Sequence, residues 1–211
     1  MKTSAHVTLV SPRFAHRPAA LLASLSIICL AQAGNVLVNG SFELGWTGWD
    51  HTGETLLHSN PDFVPDGSQS AYFNAYDQMP DGKVSQQFPT VPGVSYTLEF
   101  IYGVYTPNVP QTQQSMAILV EGQSELLNQL AVVVGGRNPV PFVAFAYTFT
   151  ADSVSTVLSF IDNATYQEGL SADAIVDRVS VSPVPEPAES GGVIALAALG
   201  IVFSLRRRFA K

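Results

Sequence analysis

The sequence predicts an all-β fold, an antiparallel β-sandwich of the jelly-roll kind over residues 34–183. Three observations lead there. Short segments alternate apolar and polar residues, turn-forming pairs separate them at regular intervals, and no stretch longer than about ten residues keeps a convincing helical period. The pattern suits roughly eight to ten strands in two packed sheets.

Tyr96-Thr97-Leu98-Glu99-Phe100-Ile101-Tyr102 is the clearest strand. Tyr96, Leu98, Phe100 and Tyr102 share one face, and Thr97 and Glu99 point the other way. Phe142–Phe149 and Val154–Ile161 are rich in β-branched and aromatic residues, and Val179 and Val181 alternate with Ser180 and Ser182. Asn35–Val38, Glu54–His58, Ser70–Ala75, Lys83–Phe88 and Ser115–Glu121 read as further strands. Leu126–Val134 reads as a strand but also admits a short helix. Asn39-Gly40, Asp66-Gly67, Asp81-Gly82, Pro92-Gly93 and Gly135-Gly136 supply turns between them. No internal repeat is evident.

Both ends of the 211-residue chain read as processing segments. Lys2, Arg13 and Arg17 precede an apolar run from Ala19 to Leu30, and Ala31-Gln32-Ala33 follows. This is the pattern of a signal peptide over 1–33, cut between Ala33 and Gly34. The run of about 12 residues is shorter than the roughly 20 that a membrane-spanning helix needs. Cys29 raises a lipoprotein reading, but Ile28 stands before it where a small residue is expected. At the other end Pro183, Pro185 and Pro187 favour an extended linker. An apolar segment over 191–205 and Arg206-Arg207-Arg208 then close the chain. About fifteen helical residues reach roughly 22 Å, a marginal span of a bilayer core of about 30 Å. The arginines would keep the tail on the cytoplasmic side.

Charge is segregated. Between Gly34 and Pro183 fifteen Asp and Glu stand against Lys83, Arg137 and Arg178, a net charge of twelve negative. So acidic a body speaks against nucleic-acid binding and against adhesion to anionic lipid. It permits solubility outside the cell and binding of neutral glycans or cations. The region has no cysteine, so its stability rests on packing, with a metal as a possible staple.

The tail resembles the PEP-CTERM sorting signal of Gram-negative bacteria that make exopolysaccharide. The match is Val184-Pro185-Glu186-Pro187, a glycine- and alanine-rich apolar helix, and Arg206-Arg207-Arg208, in that order at the C-terminus. The same tail also carries the label of an ice-binding protein C-terminal domain. The resemblance implies recognition by an exosortase after export and signal-peptidase cleavage. A membrane-anchored intermediate would precede display at the cell surface or in the extracellular matrix. The domains expected are therefore 1–33, 34–183 and 184–211. An ordinary anchor with a proline linker is the plainer alternative.

The folded region is similar to carbohydrate-binding modules of the galactose-binding-like jelly roll. The resemblance rests on short pieces in order: Asn39-Gly40-Ser41-Phe42-Glu43 with Gly48-Trp49, Asp66 to Tyr72, Val84 to Phe88, Pro92 to Leu98, and Ala174 to Val181. It implies a structural calcium between first and last strands, with Glu43 and Asp177 at the positions of its acidic ligands. Those are hard oxygen donors of the kind calcium takes. The loop around Asp66 and Gly67 is a further source of carbonyl oxygens. Otherwise the two acids would simply be exposed, or Asp177 would pair with Arg178 or Arg137.

Sugar binding needs exposed rings with polar partners beside them. Trp46, Tyr76, Tyr105 and Tyr166 are the candidates, with Asn74, Asp77 and Gln78 as hydrogen-bonding neighbours. Phe42 and Trp49 are expected in the core, and Tyr96 and Tyr102 packed in their strand. His51 and His58 are expected as solvated loop residues. The region lacks a cysteine nucleophile, a G-x-S-x-G elbow and an H-E-x-x-H pair. Asp62, Asp66, Asp77 and Asp81 are the remaining acids for a glycosidase pair, and a non-catalytic role is expected. Two roles fit: a glycan-binding module, or a structural matrix or adhesion protein acting through protein contacts.

Overall fold

In the computed structural model, the described residues are 34–74, 80–107, 113–164 and 172–185, all within the unit Gln32–Lys211. They form ten strands: β1 Asp50–Thr52, β2 Thr55–His58, β3 Ser70–Phe73, β4 Lys83–Pro89 and β5 Ser95–Tyr105, then β6 Gln113–Glu121, β7 Glu125–Val134, β8 Phe142–Thr150, β9 Ser155–Asp162 and β10 Asp173–Pro183. A short 3₁₀ turn at Pro61–Phe63 is capped by Asn60, whose side chain accepts the Asp62 N–H. Among the described residues no helix is long and apolar enough to cross a membrane.

The strands pair antiparallel in two five-stranded sheets, ordered β1-β4-β9-β6-β7 and β2-β3-β10-β5-β8. This is an all-β jelly-roll sandwich. Alternation makes the core. Tyr96, Leu98, Phe100, Tyr102 and Val104 of β5 face Met116, Ile118 and Val120 of β6 and Leu158 and Phe160 of β9 across the interior, all buried. Phe42 and Trp49 lie in this core with ring centroids 5.0 Å apart. Leu126–Val134 lies within β7; Leu127–Val134 pairs residue by residue with β6, with Ala131 and Val133 facing the core and Leu130, Val132 and Val134 the solvent, the period of two of a strand.

Strand β10 holds a phase change. Ala174 and Val176 face inward, and so do Val179 and Val181, which is an odd step of three. A bulge between Asp177 and Ser180 absorbs it, with Arg178 at a left-handed φ of 52°. Bulges of this kind re-aim side chains without ending the strand.

The expected strand Asn35–Val38 is not one. A side chain takes over its pairing: Gln86 accepts the Val38 N–H and donates to the Val38 carbonyl. Asn35 binds Leu37 N, Val181 N and Val179 O. Only Val36 makes a ladder-like bond, donating to Val181 O. Gly40 is required next to it, since a Cβ there would sit 1.8 Å from the Val179 carbonyl oxygen. At the far end Val184 donates to Ser95 O, so the sandwich's hydrogen bonding runs one residue into the predicted tail.

Candidate functional site

The turn before β1 is built by Asn39. Its carbonyl accepts the Trp49 indole N–H, and its side chain binds Leu44 N, Gly45 O and Thr47 O. Positive φ angles at Gly45 and Gly48 let the chain reverse. The result lifts Trp46 to the margin of the core, half-buried. One side of it meets the Phe42 edge at 6.0 Å, and it stacks on His51 at 4.3 Å with planes 16° apart.

His51 belongs to a three-residue strand whose residues are all exposed. Register places Asp50 opposite Ser85 and Thr52 opposite Lys83. These four side chains therefore share the outer face of the first sheet. With His51 they line an open depression of about 220 Å³. It offers a carboxylate, two hydroxyls and an ammonium. His51, opposite the inward-facing Val84, turns its ring to the other face of β1, where Trp46 stacks on it. Neutral sugars are held by a ring face against an apolar C–H face and by polar groups against hydroxyls, and the β1–β4 edge carries the two kinds of group on its two faces. Among the described residues, the rest of this outer face carries no aromatic ring: β4, β9, β6 and β7 present Lys83, Ser85, Gln87, Val157, Ile161, Ser115, Ala117, Leu119 and Leu130 among others.

The other predicted platforms differ. Tyr105 ends β5 and is half-buried, its ring 4.8 Å from Phe63 in an edge contact. It belongs to a second apolar cluster with Tyr72, Val140 and Ile175. Tyr76, Tyr166, Asp77 and Gln78 lie outside the described residues. Asn74, expected beside an exposed ring, is instead only 5% exposed, and its Nδ2 donates to Ala172 O. His58 is likewise no solvated loop residue. It ends β2 and packs 4.7 Å from Phe63 and 5.0 Å from Tyr72, and burial lowers its pKa from the ordinary 6.5.

The two predicted calcium ligands come to one corner. Glu43 Oε1 accepts the N–H groups of Ser68 and Gln69, and Oε2 accepts the Ser68 hydroxyl. Asp177 Oδ2 accepts the Asp66 N–H at 3.1 Å and Oδ1 the Arg178 backbone N–H at 2.7 Å. The 66–69 loop is thus clasped by carboxylates from both ends of the sandwich sequence. Glu43 is exposed, and hydrogen bonds from Ser68 hold its pKa low. Asp177 is fully buried; burial, with the charges of Asp66 and Glu43, pushes its pKa up to about 7 against its two hydrogen bonds. The donors are oxygens, right in kind for a hard cation. Every carboxylate oxygen of the pair nevertheless already accepts an N–H or O–H. Among the described residues no group of three or more His, Cys, Asp or Glu forms a ready metal cage.

Of the sorting and cleavage residues, Gly34, Val184 and Pro185 are described, and Val184 makes the Ser95 hydrogen bond above. Ala31, Ala33, Glu186, Pro187, Arg206, Arg207 and Arg208 lie outside the described residues. Sequence reasoning missed His51, Asp50, Lys83 and Ser85. The alternation in Lys83-Val84-Ser85 carried a signal for the last two, but β1 is too short to show a period.

The fold is that of carbohydrate-binding modules. TmCBM61, solved in complex with β-1,4-galactotriose, superposes with a TM-score of 0.51 at 13% identity, over 71% of this chain and 99% of that one. The CBM22-1–CBM22-2 tandem of Xyn10C from Paenibacillus barcinonensis gives 0.50 at 16% identity, over 76% of this chain and 48% of that one. At such identities the likeness is one of fold. No protein-family model matches the chain, and no curated protein sequence does.

Proposed function

We propose that residues 34–183 form a non-catalytic glycan-binding module, whose contact surface is the β1–β4 edge, with the Trp46–His51 stack on one face of β1 and the polar depression on the other. The observation that carries this reading is the half-buried Trp46–His51 stack at a strand edge whose other face carries Asp50, Thr52, Lys83 and Ser85. The carbohydrate-binding-module fold supports it. An affinity-electrophoresis screen of the protein against β-galactans, xylans, β-glucans and exopolysaccharide tests it. Retardation by at least one glycan is expected, and uniform migration would remove the reading.

The corner of Glu43, Asp66 and Asp177 is proposed to take up calcium, which would neutralise the charge gathered on a buried acid. The sequence further supports export through the 1–33 signal. Exosortase processing at Val184-Pro185-Glu186-Pro187 would follow, from an inner-membrane intermediate to the surface or matrix. Mass spectrometry of the exported protein should find its C-terminus within or near that motif. An intact Lys211 end in the producing cell would contradict it.

One observation favours the structural or adhesive alternative. Edge strand β7 exposes Leu130, Val132 and Val134 on one face, an apolar row suited to protein contact. A flat glycan screen together with self-association that Val132→Glu abolishes would favour it.

A further inference from the structure

Strands β3, β5 and β9 all finish at the same end of the sandwich, where the chain crosses to β4, β6 and β10. The last residue of β9, Asp162, continues the inward row of Leu158 and Phe160, and is 6% exposed. Across the interior, Tyr102 of β5 is wholly buried. Asp162 Oδ1 accepts the Ala164 N–H at 2.9 Å, and the Asp162 backbone N–H donates to Gly82 O. Asp162 Oδ2 and the Tyr102 hydroxyl, in contrast, have no hydrogen-bond partner. Two more buried oxygens at this end, Asn74 Oδ1 and Thr106 Oγ1, have none either.

Such groups are rare inside folded proteins, since each has lost its water without replacement. Here charge compounds the cost. The Asp162 carboxylate acts on the Tyr102 phenol, which burial and that charge hold well above its ordinary pKa. Burial, helped by the like charge of Asp81 and opposed by the Ala164 hydrogen bond, moves Asp162 itself up to about 6. A water molecule would satisfy the oxygens but leave the buried charge uncompensated. The two interacting groups are a carboxylate and a hydroxyl oxygen, with neither sulfur nor imidazole. Hard cations favour such a set.

We propose that Asp162 Oδ2 and the Tyr102 hydroxyl are two oxygen ligands of a buried site for a hard cation of the sodium or calcium kind, distinct from the Glu43–Asp66–Asp177 corner. The ion would compensate the Asp162 charge and give Asp162 Oδ2 and the Tyr102 hydroxyl a common partner.

Thermal unfolding of the purified full chain tests this, in tetramethylammonium chloride against sodium chloride at equal ionic strength, and with added calcium chloride. Sodium or calcium should raise the wild-type midpoint by several degrees, and the ion responsible names the occupant. Tyr102→Phe, with its near-UV circular dichroism checked, should lose that rise. In tetramethylammonium it should be at least as stable as wild type, because an unpartnered hydroxyl is gone. Asp162→Asn should lose the rise as well, and serves if Tyr102→Phe does not fold. A wild-type midpoint indifferent to both ions overturns the proposal. So does a response that survives Tyr102→Phe and Asp162→Asn and disappears in Asp177→Asn, which would put the ion in the other corner.

Discussion

Trp46 and His51 lie with ring centroids 4.3 Å apart and planes 16° from parallel, joined by a turn that Asn39 holds from within. Trp46 is anchored at the same time by the Phe42 edge, so the pair is fixed to the core rather than free to swing. His51 Nδ1 and Thr55 Oγ1, 3.1 Å apart, tie the imidazole to β2. A rigid ring pair loses little side-chain entropy on meeting a sugar.

The clasp over the 66–69 loop makes Gly67 irreplaceable. It has a φ of 69°, and a Cβ would lie 2.3 Å from Glu43 Oε1. Gly67→Ala should destabilise by roughly 2 kcal/mol or more, combining the left-handed backbone cost with a displaced carboxylate. Gly93 has a φ of 83° but open space around it, so Gly93→Ala should cost about 1 kcal/mol. Urea denaturation of the two variants reads the difference; equal losses would mean that Glu43 yields freely.

Calcium should raise the thermal midpoint of the wild-type protein, and a chelator should lower it. Asp177→Asn removes a buried charge but sets an amide NH2 against one of the two N–H groups that the carboxylate accepts, so without calcium it should be less stable than wild type, and the part of the response arising at this corner should vanish. Differential scanning calorimetry with and without the ion reads both effects. An Asp177→Asn protein that responds to calcium just as wild type does would place no ion here.

His58 should make stability depend on pH below neutrality. Its Nδ1 accepts the Asn60 N–H at 3.1 Å, and its ring is packed between Phe63 and Tyr72, which lowers its pKa from 6.5 through burial. The unfolded chain therefore takes up the proton first as pH falls. The stability contribution is present above about 6.5 and is lost as pH falls through the lower folded value. Denaturation midpoints at pH 7.5 and 5 should fall further for wild type than for His58→Phe. Parallel falls would contradict this.

Much of the fold was legible because its signals are local. The buried row from Tyr96 to Tyr102 is a period of two, and Phe42 and Trp49 are large rings beside a turn. Asn35–Val38 misled because its apolar residues resemble a strand while side chains of Asn35 and Gln86, the latter 48 residues from Val38, satisfy its backbone. The phase slip in β10 hides from a single alternation rule, since the bulge at Asp177 joins two rows. For the site, Trp46 was readable as a ring in a turn-rich segment. Its partner His51 was not, because stacking depends on how the turn closes. Tyr102 and Asp162 are 60 positions apart in the sequence and meet only when the two sheets face each other.

The central claim is that Trp46 anchors glycan binding at the β1–β4 edge. Affinity electrophoresis with the best-retarding glycan, comparing wild type with Trp46→Ala, tests it most directly, with far-UV circular dichroism confirming that both are folded. Losing the ring should weaken binding about tenfold, of the order that one aromatic contact with its buried area contributes. A folded Trp46→Ala protein retarded as strongly as wild type would contradict the account.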